Sequence, residues 1–196
     1  MENLERKIFD YISARLSPKR FEHSYNVAVF AAELAKIHKI NAYKAQVSGL
    51  LHDLAKYKTD KELISFFANR QPRPKYFKEI KENAPQLLHG FAAAVIAKEE
   101  FKIKDKDILN AISSHTLARE NMSQLEKIIF IADYAAEGRK RKELEVLRKL
   151  ARENLDGAFK AVLSAKLIFV IKNNMWICGQ TINAWNYYGT EKEIKN

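Results

Sequence analysis

The chain has 196 residues, 47% of them hydrophobic, so it can bury one sizeable core, and no Gly, Ser or Pro tract divides it in two. Its only cysteine is Cys178, which excludes an internal disulfide and any thiolate-rich zinc site, so a metal here must be held by His, Asp and Glu. The net charge of +10 favours anionic partners, among them polyphosphates, nucleic acid and acidic membrane surfaces.

The opening run Met1-Glu2-Asn3-Leu4-Glu5-Arg6-Lys7 alternates charge with apolar residues, unlike a signal peptide. Apolar residues then recur at spacings of three and four with no strand-like alternation, which predicts an all-α protein. Residues 2–16 read as the first helix. Ser17-Pro18 supplies an N-cap and an N1 proline for a long helix to about residue 38, with His23, Val27, Phe30, Ala31 and Leu34 on its inner face. Asn41 caps a third helix that carries His52-Asp53. Thr59 and Glu62 form a capping box for a short helix to about residue 69, and Gln71-Pro72-Arg73-Pro74 breaks the pattern before another short helical piece. Helices follow at 85–100, from 105 to about 115, and at 123–137, the last opened by a capping box at Ser123 and Glu126 and closed by Gly138. The tail gives helices at 142–153 and 156–173, a loop around Gly179 and a last short helix through Trp185. The apolar stretch 161–171 holds Lys166, is too short to span a bilayer, and reads as the buried face of a core helix. A soluble, cytoplasmic protein with no membrane partner is expected.

Chemistry concentrates at a few positions. His52-Asp53 lies in the small, apolar run Val47-Ser48-Gly49-Leu50-Leu51-His52-Asp53-Leu54-Ala55, where an imidazole beside a carboxylate is costly unless a cation neutralises both. Asp133, within Ile128-Ile129-Phe130-Ile131-Ala132-Asp133-Tyr134-Ala135-Ala136, needs a partner for the same reason. Singly, an inward His is more often a hydrogen-bonded core residue, and a buried Asp more often a cap or ion-pair partner.

Taken in order, His23, His52-Asp53 and Asp133 resemble the H…HD…D signature of the HD-domain metal-dependent phosphohydrolases, over roughly residues 20–139. Further likeness comes from His52-Asp53-Leu54-Ala55-Lys56, His89, Ser114-His115-Thr116 and Asp133-Tyr134-Ala135-Ala136-Glu137-Gly138-Arg139. This set is similar to the YqeK family of symmetrical bis(5′-nucleosyl)-tetraphosphatases. The tail Gln180-Thr181-Ile182-Asn183-Ala184-Trp185-Asn186 resembles that family's C-terminal motif, although this chain has Gly179-Gln180 where the family tends to have Pro-Asp. The resemblance implies one HD domain over residues 1–196: a helical bundle with a metal core at about 18–139 and a C-terminal helical extension, 140–196, contributing to the nucleotide site.

His23, His52, Asp53 and Asp133 as ligands suit six-coordinate iron or manganese, or another divalent ion, better than structural zinc. The resemblance favours iron, and one ion over two. Asp53, His89, His115 and Lys56 are the catalytic candidates. His89 and His115 either complete a second metal site bridged by Asp53 or, as we favour, bind phosphate and protonate the leaving diphosphate. Lys56 orients Asp53, contacts phosphate or is a helix-surface charge. Arg20 and Asn26 share the helical face of His23, and Ser114 and Arg139 are further phosphate contacts. His23, His89, His115 and Asp133 also belong to the substrate set, with Ile177, Cys178, Gly179, Gln180, Thr181 and Ile182 as nucleotide contacts by the resemblance. The other residues of Arg139-Lys140-Arg141-Lys142 read as a solvated face, His38 as a cap or surface residue, and Trp176 and Trp185 as core anchors rather than base-stacking platforms.

The reaction implied is a central, metal-dependent cut of diadenosine tetraphosphate into two ADP, so ADP or GDP should bind as product. A homodimer is open and no nucleic-acid partner is expected. Two alternatives stand beside this reading: an HD phosphohydrolase or phosphodiesterase with another substrate, and a non-catalytic regulator that binds nucleotide or RNA.

Overall fold

The computed structural model describes residues 2–136 and 142–189, and every regular element among them is helical. In chain order these are α1 (Glu2–Ser13), α2 (Pro18–Ile37), α3 (Ala42–Leu51), α4 (Asp60–Ala68) and α5 (Phe77–Asn83). A 3-10 turn (Pro85–Leu88) then runs into α6 (His89–Glu100), followed by α7 (Lys106–Ser114), α8 (Gln124–Ala135), α9 (Lys142–Glu153), α10 (Leu155–Lys172) and α11 (Gly179–Tyr188). The all-α expectation holds.

Local capping chemistry sets many of these boundaries. Asn41 Oδ1 accepts from Lys44 N at 3.0 Å, and Asp105 Oδ1 accepts from the amides of Asp107 and Ile108. Thr59 with Glu62 and Ser123 with Glu126 form complete capping boxes, satisfying amides that a helix start leaves without partners. Ser17 occupies the N-cap of α2, but its hydroxyl makes no cap bond; Pro18 at the first helical position starts that helix. At the far end of α8, Arg148 from α9 donates through Nε to Ala135 O at 2.6 Å and through Nη2 to Ala136 O at 3.2 Å. Gly138, expected to close α8, lies outside the described residues, as does Glu137.

Burial explains the arrangement. Ile128, Ile129, Phe130, Ile131 and Ala132 of α8 are all fully buried, and a helix apolar on every side belongs at the centre of a bundle. Around it pack α2, α7, α9 and α10, while α3 lies against α2, α7 and α8. Val27, Phe30, Ala31 and Leu34, the inner face read for α2, are buried, and full burial of a side chain the size of Leu34 contributes roughly 1.5–3 kcal/mol. The α2–α3 contact is unusually close because of Gly49: a Cβ there would lie 2.6 Å from the Ala28 Cα, so only glycine permits the approach.

Several elements differ from the sequence reading. Helix α1 stops at Ser13 rather than at residue 16, and the helix expected over 85–100 is a 3-10 turn joined to an α-helix at His89. The residues around Gly179 form the first turn of α11 instead of a loop. The stretch 161–171 is buried only in part. Val162 and Leu163 face the core, whereas Ile168, Phe169 and Ile171 are exposed, and of these three only Phe169 borders a cavity. His52 and Asp53 lie just beyond α3 rather than within it. There the chain continues in tight turns, with Leu54 N donating to Leu51 O at 3.1 Å and Lys56 N to Asp53 O at 2.9 Å. No described helix is long and apolar enough to cross a membrane.

Candidate metal centre and its two cavities

Four of the five histidines and two aspartates meet between α2, α8, the turns after α3 and the joints flanking α6 and α7. His23, on α2, donates from Nε2 to Asp133 Oδ1 at 3.3 Å, and His52 Nε2 lies 3.7 Å from that oxygen and 3.8 Å from Asp53 Oδ2. Ligand atoms of His23, His52 and Asp53 fall within 4.8 Å of one another; so do those of Asp53, His89 and His115. Asp53 therefore belongs to both groups. The fifth histidine stands apart: His38 caps α2, with Nε2 2.7 Å from Ala151 O, in keeping with its reading as a cap.

Three of the clustered rings are held by one device. His52 Nδ1–H donates to Gly49 O at 2.7 Å, His89 Nδ1–H to Gln86 O at 2.6 Å and His115 Nδ1–H to Ile112 O at 2.6 Å, in each case the carbonyl three residues back. His52 and His115 sit just past the ends of α3 and α7, and His89 follows the 3-10 turn, where carbonyls lack a full set of helical partners. A carbonyl can only accept, so the proton is on Nδ1 and the Nε2 lone pair of each ring is left to face the other groups of the cluster.

That geometry fits a bound cation. His52 Nε2 is fully buried and has no hydrogen-bond partner, an arrangement disfavoured in a core unless a ligand completes it. His89 Nε2 and His115 Nε2 stand 3.0 Å apart, so their lone pairs oppose each other unless a proton or cation lies between. Burial lowers the His52 pKa to about 4, and burial likewise lowers that of His89, leaving both neutral near pH 7. For Asp53, burial alone would raise the carboxyl, but the imidazoles of His52, His115 and His89 packed around it hold it well below the usual carboxylate range. Burial is likewise outweighed at Asp133, by Lys166 first, then by His23 and His52. Two carboxylates and neutral imidazoles are a nitrogen and oxygen donor set suited to iron or manganese.

A cavity of about 560 Å³ is lined by His23, Asp53, His89, His115 and Asp133 together with Ser17, Lys19, Arg20, Glu22, Asn26, Lys56 and Thr116, while His52 lies fully buried behind them. Arg20 Nη1 donates to Asp53 Oδ2 at 3.1 Å. A second cavity, of about 540 Å³, adjoins it: Thr116 lines both, and Lys166 on the second donates to Asp133 Oδ2 at 3.3 Å and to His115 O at 3.1 Å. Its walls are mostly apolar, including Leu87, Tyr134, Leu167, Val170 and Trp176.

Not every residue singled out in the sequence reaches a cavity. Ser114 is buried and lines neither; its neighbour Thr116 occupies the cavity wall, with Oγ1 2.9 Å from His115 Nε2. Ile177, Cys178 and Thr181 line the apolar cavity, whereas Gly179, Gln180 and Ile182 do not. Thr181 Oγ1 donates to Leu117 O at 2.7 Å and Gln180 Nε2 to Ala118 O at 2.6 Å, fastening α11 to the segment after α7. Gly179 permits close packing on Tyr76, since a Cβ would come 2.8 Å from its ring. Trp176 and Trp185, read as core anchors, are both half-buried and pack against the core, and Trp176 also borders the apolar cavity. Arg139 and its basic neighbours up to Arg141 lie outside the described residues. Sequence reasoning missed Lys19, Thr116 and Lys166; of these only Lys166 carried a clear signal, one cation within an apolar stretch.

Comparison with known proteins agrees with this geometry. Residues 20–138 match the HD domain family. A Halalkalibacterium halodurans protein named bis(5′-nucleosyl)-tetraphosphatase, symmetrical, is 32% identical over 92% of this chain and 94% of its own length. A Staphylococcus aureus protein of the same name is 30% identical over 93% of both chains. The crystal structure of a Clostridium acetobutylicum protein, described as a predicted HD superfamily hydrolase involved in NAD metabolism, superposes with a TM-score of 0.88 at 39% identity, covering 94% of this chain and 96% of that one.

Proposed function

The chain belongs to the HD-domain family and, within it, to the group of relatives named symmetrical bis(5′-nucleosyl)-tetraphosphatases; from that premise we propose that it hydrolyses diadenosine tetraphosphate at its centre, giving two ADP. One observation carries this reading beyond the names of relatives: the His/Asp cluster lies where a cavity rich in charged side chains meets an apolar one, with Thr116 on the wall of both. An adenosine fits the apolar side, between side chains such as Leu167, Val170 and Trp176, and its phosphates then run past Lys166 and Thr116 to the cluster. In this reading the C-terminal extension supplies the nucleoside pocket.

His23, His52, Asp53 and Asp133 would hold the metal, for which we propose iron, with manganese or another divalent ion as a substitute. A divalent cation there supplies an acidified water and screens charge building on the phosphoryl group. The protein's own groups do the rest. Arg20 and Lys166 orient the two carboxylates, through contacts at 3.1 and 3.3 Å, and Lys166 also keeps Asp133 ionised. His89 and His115 contact phosphate, and their Nε2 atoms can carry a proton to the leaving diphosphate. Lys166 anchors the phosphates of the retained nucleotide.

The test is incubation of iron-reconstituted protein with diadenosine tetraphosphate, products being resolved chromatographically. ADP as sole product supports the proposal; release of adenosine or orthophosphate, or no turnover at all, overturns it. A second reading, two ions bridged by Asp53, is favoured by the opposed lone pairs of His89 and His115 at 3.0 Å. Metal stoichiometry decides: one equivalent supports the single-ion form, and two, reduced to one by His89→Ala, support the dinuclear form.

A further inference from the structure

The chain leaving α7 carries two groups of the site, His115 and Thr116, and the C-terminal extension holds it by its main chain. Lys166 of α10 donates to the carbonyl of His115 at 3.1 Å, while from α11 Thr181 donates to that of Leu117 at 2.7 Å and Gln180 to that of Ala118 at 2.6 Å. Of these three donors only Gln180 lines neither cavity. Its bond falls on the residue whose conformation is least favoured. Ala118 has φ 55°, the left-handed region, where a Cβ crowds the carbonyl and glycine is the usual occupant. Ala118 is fully buried, and its amide donates to Ser114 O at 3.0 Å. The chain from here to α8 has fixed ends, α7 on one side and on the other Ser123, whose hydroxyl donates to Asp107 Oδ1 at 2.6 Å. Relaxation of Ala118 towards an ordinary φ must therefore be absorbed by its neighbours. Thr116 is two residues away, with Oγ1 2.9 Å from His115 Nε2 and 3.3 Å from His89 Nε2.

We propose that Gln180 is a positioning residue: its bond to Ala118 O holds that residue in the left-handed conformation and so sets where Thr116 Oγ1 and His115 Nε2 stand. Gln180 thus serves the reaction through the main chain and does not contact nucleotide. The reaction by which this is measured rests on the tetraphosphatase reading above.

Metal-loaded Gln180→Ala should turn over diadenosine tetraphosphate with kcat lowered about tenfold and KM within about twofold of the unaltered protein, because displaced groups cost rate while the cavity walls are intact. Gln180→Glu keeps the volume but, ionised near pH 7, cannot donate to a carbonyl; it should behave alike, and it carries the test if the alanine variant does not fold. Adding Ala118→Gly to either variant should restore kcat to within about threefold of the unaltered protein, since glycine adopts the left-handed form without help. A role in stability alone predicts no such rescue. Calorimetry of ADP binding to the metal-free variants gives a readout independent of turnover, and the affinity should stay within about twofold. An unchanged kcat, a tenfold loss of ADP affinity, or a kcat that Ala118→Gly fails to restore overturns the inference and leaves the tetraphosphatase reading standing. No turnover of diadenosine tetraphosphate by the unaltered protein overturns both.

Discussion

The polar and apolar cavities are nearly equal in volume, at about 560 and 540 Å³, but are built on opposite principles. In the first, polar atoms are fixed by specific partners: three imidazoles by backbone carbonyls and two carboxylates by Arg20 and Lys166. In the second, position follows from packing of α10 and α11 against the bundle, and most of the lining is apolar. Function divides accordingly. On the proposed reading the polar side carries the reaction, in which small displacements are severe, and the apolar side carries affinity, which degrades gradually.

The sharpest way to break this division is Asp53→Ala. Turnover of diadenosine tetraphosphate should fall by more than about a thousandfold, while ADP affinity changes by no more than about tenfold, because the nucleoside pocket is intact. Parallel loss of both, measured by product chromatography and calorimetry, would mean the cavities are not separable.

The next effect is on stability. The folded His52 pKa of about 4 lies below its unfolded value of about 6.5, so the unfolded chain binds more protons between these limits. Stability of the metal-free protein is therefore fully present above pH 6.5 and should fall by about 3 kcal/mol as the pH drops to 4, read from urea midpoints. Below that, the depressed carboxyls of Asp53 and Asp133 begin to protonate and extend the loss. A flat profile from pH 6.5 to 4 would show that His52 is not buried as a neutral ring.

On the apolar side, Trp176→Ala should raise KM about tenfold at nearly constant kcat, consistent with loss of a flat apolar wall for the base. An equal fall in kcat would place Trp176 in the chemistry. The smallest expected effect is from Thr181→Val, which removes the bond to Leu117 O and should cost about 1 kcal/mol in thermal or urea unfolding while kcat stays unaltered.

What the sequence disclosed follows the same division. Capping boxes at Thr59 and Ser123 are local, so a few residues specify them completely. His23, His52, Asp53 and Asp133 stood out because charge in an apolar run demands compensation. The exact placement of the histidines was not legible. His52 has φ −56° and ψ −42°, and His115 has φ −62° and ψ −25°, both helical conformations, so periodicity runs on although the hydrogen-bond ladder has ended. The apolar cavity was least legible of all. Leu167 lines it and Leu163 is buried in the core, and nothing in the spacing along one helix distinguishes them, because the difference arises from distant elements. Thr116 was hidden for a similar reason: its role depends on which side of the joint after α7 the chain exposes.

Gly49 has a consequence that joins fold to reactivity. Its bare Cα lets the third helix rest against Ala28 of the second, and its carbonyl accepts the hydrogen bond from the His52 Nδ1–H. His23 rides on that second helix, so the bite of the first imidazole pair is inherited from two main chains in direct touch. The claw is spaced before any ion arrives, and the entropy of gathering its prongs is lost during folding rather than on loading. A single methyl at this position would act as a wedge between them.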